Sequence, residues 1–114
     1  MEITSTAEKT VGDESAVRRE WADMATNDVG VPFQFTKWTE RSVQVSGIFG
    51  GANLHWEGSN DGENYYSLTD PRGNPLDFIS ARIEAVTEIC FYARPRVSGG
   101  DDTTCLTVTL AARK

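Results

Sequence analysis

The sequence predicts an all-β protein: a single β-sandwich of about eight short antiparallel strands. Two patterns predict it. Apolar and polar residues alternate with a period of two through several runs, and Gly, Asn, Asp and Pro clusters punctuate the chain every 8–12 residues or so. The length, 114 residues with 39% hydrophobic and 25% charged, fits one globular domain with its own core. Jelly-roll, immunoglobulin-like and galactose-binding-like strand orders all suit this pattern.

The elements follow in order. Residues 1–15 are polar and lack core anchors, so they are expected to form an N-terminal arm, with the sandwich over 16–114. Over 16–24, Val17, Trp21 and Met24 have the four-and-three spacing of a helix. Val17, Arg19, Trp21 and Asp23 would equally form one face of a strand, and strand is preferred because the following elements are strands. Val31 to Phe35 alternates, with Pro32 confining it to an edge or a strand start. Val43, Val45 and Phe49 share one face, opposite Ser42, Gln44 and Ser46. After Gly50-Gly51, Ala52, Leu54 and Trp56 point inward, with Asn53, His55 and Glu57 toward solvent. Ser59-Asn60-Asp61-Gly62 is a turn, because Asn and Asp tolerate the left-handed region and Gly enters it freely. Short strands are expected at Tyr65–Leu68 and Leu76–Ile79, with one helical turn within 80–87. Ile89 to Ala93 is apolar on both faces and should lie centrally. It belongs to a segment, 88–97, expected to pair with 103–110 as a hairpin about Gly99-Gly100. In the last strand Leu106, Val108 and Leu110 point inward.

The composition excludes several functions. With 11 basic against 17 acidic residues the chain carries −6, and Arg94 and Arg96 alone make no phosphate-binding groove, so nucleic acid is not an expected partner. Met1 to Ser5 has no basic region followed by an apolar run, and no stretch approaches the ~20 apolar residues of a membrane span. Neither a leader nor a membrane partner is expected. Cys90 and Cys105 form no CxxC pair, and in the expected hairpin Cys105 faces Pro95, so both should be free thiols. His55 is the sole histidine, read as a surface residue, so no Cys/His zinc site and no marked catalytic relay is present. Asn60-Asp61, Asp70 and Asp101-Asp102 are read as turn residues rather than calcium ligands, because the carboxylate series of a hand-type loop is missing. Gly47 to Gly51 has no lysine and no strand-to-helix context, so it is no phosphate cradle. A non-enzyme with no cofactor, metal or small-molecule substrate is expected.

The aromatic residues carry the positive signal. Tyr65 and Tyr66 are adjacent and point to opposite faces of a strand, Tyr92 opposes Phe91, and Trp38 stands among Lys37, Thr39 and Glu40. Some must be exposed, as interface anchors or sugar-stacking faces. With Ile3 in the arm, Trp38, Tyr65, Tyr66 and Tyr92 form the candidate partner-binding set.

Two resemblances add to this. The stretches Trp56-Glu57-Gly58-Ser59-Asn60-Asp61-Gly62-Glu63-Asn64-Tyr65 and Phe91-Tyr92-Ala93-Arg94-Pro95 resemble discoidin-type galactose-binding-like sandwiches. That family's modules are longer and usually carry a terminal disulfide, absent here, and no ligand residue carries over. A broader pattern comprises Trp21, Asn27-Asp28-Val29-Gly30, Ser42 to Ala52, Gly58 to Gly62, Leu68 to Asn74, Arg94 to Asp101 and Leu106 to Leu110. It is similar to small virion structural proteins of tailed bacteriophages. That resemblance implies a decoration (cement) protein made in the host cytoplasm and bound to the capsid surface. Its partners would be the major capsid protein and further copies of itself. A tail or head–tail component and a carbohydrate-binding module are the alternatives.

Overall fold

In the computed structural model, residues 2–3, 7–10, 16–34 and 38–113 are described, the first two stretches by their backbone alone. Among them the chain forms strands and no helix. The strands are β1 (Glu2–Ile3), β2 (Ala7–Thr10), β3 (Ala16–Met24), β4 (Val29–Gly30), β5 (Phe33–Gln34) and β6 (Glu40–Ile48). There follow β7 (Ala52–Ser59), β8 (Tyr66–Ser67), β9 (Asp77–Phe78), β10 (Arg82–Ala85), β11 (Tyr92–Gly99) and β12 (Cys105–Arg113). One sheet runs β10-β6-β12-β3-β2. The other runs β1-β4-β11-β7-β8, with β5 also on β11 and β9 also on β7. The expected sandwich is present, and the segments beyond about eight are mostly two-residue strands flanking the long ones.

Alternation builds the core. β6 and β12 turn Val43, Val45, Leu106, Val108 and Leu110 inward, and β7 and β11 turn Ala52, Leu54, Trp56, Ala93 and Val97 toward them. Trp21 and Trp56 meet edge-to-face across the two layers, centroids 5.7 Å apart at 66°. Trp21 Nε1–H also donates to Val31 O at 3.0 Å, tying β3 to the chain that crosses above it.

β3 is a strand, and a bulge explains its helix-like spacing. Met24 faces Leu106 and Trp21 faces Val108, so Ala22 and Asp23 together oppose Thr107. Asp23 takes φ 55° to accommodate the extra residue. The bulge returns Met24 to the core and sends Asp23 to solvent.

Pro95 lies inside β11, where a missing N–H would ordinarily break a ladder. Val97 N–H donates to Asp28 O at 2.9 Å, so alternate amides of β11 point toward β4 and β5. Pro95 falls between the β4 and β5 pairings, where no donor is required.

Three expectations are corrected. Residues 88–97 and 103–110 form no hairpin: β11 and β12 belong to different sheets, and the Gly99-Gly100 turn carries the chain between layers. Residues 82–85 are an edge strand on β6, not a helical turn, because Ile83 and Ala85 alternate with Arg82 and Glu84 along the ladder. Ile89 and Phe91 are not central: β11 begins at Tyr92, and both side chains are exposed. Phe35, the end of the strand expected over 31–35, lies outside the described residues, as do most of residues 1–15. Of that arm, Glu2–Ile3 pairs in parallel with β4 and Ala7–Thr10 pairs antiparallel with β3. Cys90 is buried and Cys105 exposed, both as free thiols.

Candidate functional site

The outer face of the β11-β7-β9 sheet and the groove at its end hold most of the molecule's specific polar geometry. β7 is followed by Asn60 to Asn64, a turn that its own side chains close. Ser59 Oγ accepts from Asp61 N–H and Gly62 N–H at 3.2 and 2.9 Å. Asp61 Oδ1 accepts from Glu63 N–H and Asn64 N–H at 2.8 and 2.9 Å, and Oδ2 accepts from Asn64 Nδ2 at 2.9 Å. The Asn64 and Glu63 amides, the Asn64 side chain and Ser59 hold the Asp61 carboxyl far below the usual carboxylate range. Gly62 sits at φ 79°, where a side chain would be strained and would meet the Tyr92 ring.

Because the Asp61 pKa is depressed in the fold, its contribution is complete above its unfolded value near 4 and is lost as pH falls below that. Asp61→Asn is therefore expected to lower the melting temperature at pH 7. The gap from wild type should narrow steadily below about pH 4. An unchanging gap across that range in thermal unfolding scans would show that the carboxylate is not what closes the turn.

Across a groove of about 420 Å³ from this turn runs the segment 88–91. Asn60 Oδ1 accepts from Phe91 N–H at 3.1 Å, and Glu88 accepts from both Thr69 N–H and the Thr69 hydroxyl. Burial pushes the Glu88 carboxyl up, but these Thr69 bonds outweigh it and the net shift is downward. Beneath, Arg41 is buried and donates to Trp38 O from Nε and Nη2 (3.1 and 3.0 Å) and to Glu88 O from Nη1 (3.0 Å). Nη1 also lies 3.8 Å from Cys90 Sγ. Burial raises the Cys90 thiol pKa, against the pull of Arg41. Both groove walls are thus fixed; Tyr66 and Ile89, 71% and 68% exposed, line the groove, and Phe91, 55% exposed, follows just beyond it at the end of the 88–91 segment.

The sheet's outer face is polar. Glu57, expected to face solvent, is buried because Arg94 and Arg96 close over it, their Nε atoms 3.4 and 2.9 Å from its two oxygens. The Arg94 guanidinium lies 3.8 Å from the Tyr65 ring centroid. His55 has partners on both sides: Nδ1 lies 2.7 Å from Asp77 Oδ1, and Nε2 lies 2.7 Å from Ser98 Oγ. Neither partner was legible in the sequence, because each arrives from another strand of the sheet.

Serine, imidazole and carboxylate in this order form the proton path of a nucleophilic relay. Acyl transfer also needs donors aimed at the developing oxyanion. Here Ser98 pairs with Asn53 in the ladder and Val97 N–H is bound to Asp28 O, so the amides of these two residues are directed into the sheet. The relay joins β9, β7 and β11 side by side. A fluorophosphonate probe is expected to leave Ser98 unlabelled; labelling abolished by His55→Ala would instead mark an activated nucleophile.

The proposed partner-binding residues are dispersed. Tyr66 stands exposed at the groove. Tyr65 has a ring face covered by Arg94, Tyr92 is half-buried beside Gly62, and Trp38 packs against the core. Ile3 is placed by its backbone alone, beside Gly30. Ile89 joins Tyr66 at the groove and Phe91 is exposed beside it, a pair whose apolar run predicts a central strand. The carboxylates of Asp61 and Asp70 are occupied by turn amides, and no group of three metal-ligating side chains occurs among the described residues. No helix in the described residues is long and apolar enough to cross a membrane. Comparison with protein-family models, curated proteins and solved structures yields no match.

Proposed function

We propose that this chain is a non-enzymatic docking protein of a tailed-bacteriophage virion: a decoration protein that sits on the outer head surface and binds the major capsid protein. The observation that carries the docking reading is the exposed apolar set Tyr66 and Ile89, lining a groove whose walls are hydrogen-bonded in place, with exposed Phe91 beside it. Exposed apolar side chains on a rigid frame are what an interface needs, because they lose little conformational freedom on binding. The virion assignment rests on the sequence pattern described above. The net charge of −6 favours dispersal of free copies until many weak contacts on a shell act together.

The test is co-sedimentation of the purified protein with phage heads lacking it, with tails and cell envelopes as controls. Saturable binding to heads at a fixed ratio to coat subunits is expected, weakened at least tenfold by Tyr66→Ala combined with Phe91→Ser. Retention on tails alone, or no retention on any particle, would overturn the assignment.

A second reading is favoured by the position of Tyr66, whose exposed ring adjoins Asn60, Asn64 and Ser67 on the groove wall. Such a ring can stack on a sugar while amides and hydroxyls bind its hydroxyl groups. Glycan-array binding that disappears in Tyr66→Ala would move the assignment to a carbohydrate-binding module.

A further inference from the structure

We propose that the free edge of β10 pairs with the same edge of a second copy, antiparallel and two-fold symmetric about Ile83. Among the described residues β10 ends its sheet, with β6 on one side only. Its register runs Arg82 to Val45 and Glu84 to Val43, and Val86 N–H continues it by donating to Arg41 O at 3.1 Å. Backbone groups alternate in direction along a strand. The N–H and C=O of Arg82 and Glu84 therefore point to β6, and those of Ile83 and Ala85 point to the open edge.

A two-fold axis at Ile83 sets its N–H and C=O against those of the partner's Ile83. It also sets Arg82 opposite the partner's Glu84, and Glu84 opposite the partner's Arg82. The edge is thus complementary to itself in charge as well as in hydrogen bonding. In one copy Arg82 Nε already lies 2.8 Å from Glu84 Oε2, with both side chains about one-third exposed (35% and 31%). They share the inward side of the sheet with Val43 and Val45. Inward-leaning charges on a short edge strand deter foreign strands, which would bring no matching charge. The chain's own edge does bring one.

Apolar area supports the same contact. Ile83 faces outward beside Gln44, and Ile48 lies on that outer face farther along β6; both are about 60% exposed (60% and 59%). Ile79, just before β10, is also exposed. Four-residue pairing buries little area, so the dimer is weak in free solution and gains when copies are held side by side.

Sedimentation velocity of the free protein over a concentration series tests this without any phage particle, so its outcome is separate from head binding. A monomer–dimer equilibrium is expected, weakened about tenfold by Arg82→Glu, which opposes like charges twice. The double variant Arg82→Glu/Glu84→Arg should return to the wild-type constant. Ile83→Pro, with wild-type near-ultraviolet circular dichroism as the check on folding, should abolish pairing. A monomer up to about 1 mM, or a double variant no better than Arg82→Glu, would overturn the proposal.

Discussion

Trp21→Ala should destabilise the fold by about 4 kcal/mol, among the largest effects of any single substitution. Trp21 is fully buried, spans the two layers to meet Trp56, and anchors Val31 through its indole N–H. Truncation opens a cavity beside Gly30, which has no side chain to fill it and already lies close to both the Trp21 ring and Pro95. The aromatic replacements separate packing from hydrogen bonding. Trp21→Phe loses the bond to Val31, whereas the buried Trp56 Nε1 has no hydrogen-bond partner among the described residues, so Trp56→Phe should be the milder change. Chemical denaturation followed by far-ultraviolet circular dichroism gives both values. A loss below about 1 kcal/mol for Trp21→Ala, or a reversed order of the two Phe variants, would refute this account of the core.

Arg41→Ala should cost about 3 kcal/mol. The side chain is buried at the start of β6 and connects Trp38, Glu88 and Cys90, three points that no strand pairing among the described residues joins. Without it the carbonyls of Trp38 and Glu88 lose their charged donor in a part-buried site. Arg41→Lys should recover little, because an ammonium cannot span both carbonyls as the planar guanidinium does. The damage should reach the proposed docking surface. Amide hydrogen exchange is expected to rise at 88–91, and head binding to fall with it, although Arg41 itself is out of a partner's reach. Unchanged exchange at 88–91 would show that Asn60 and Thr69 suffice to hold that wall.

Much of the sandwich was legible because its long strands obey a period of two. Val43/Val45, Ala52/Leu54/Trp56 and Leu106/Val108/Leu110 each declared a buried face. Arg41 shares the parity of Val43 and could have been assigned to the interior on that ground alone. Where the structure departs from the local pattern, the cause lies in partners distant along the chain. The four-and-three spacing of Val17, Trp21 and Met24 looked helical because a bulge adds one residue before Met24. Glu57 has outward parity, yet two arginines on β11 enclose it. Gly99-Gly100 resembled a hairpin turn, but the turn joins different layers, a choice made by the rest of each sheet. At the candidate site, Tyr66 was picked out by its neighbour Tyr65. Ile89 and Phe91 were missed because an apolar run on both faces reads equally as a central strand or as an exposed contact. The His55 pairing required Asp77 and Ser98 to arrive from separate strands, which no local pattern reports.

The place of β12 bears on how the protein is made. It lies between β6 and β3 and pairs with each along most of its length, although it comes after both in the chain, with five or more strands between. Until residue 113 has left the ribosome, β3 and β6 are without the neighbour that joins them, and their apolar faces and open edges remain exposed. Such non-local closure makes folding slow for a chain of this size, and the waiting strands are vulnerable to pairing with other nascent chains. Truncation before Cys105 would therefore remove the middle of a sheet and leave β3 and β6 without the strand that pairs with both.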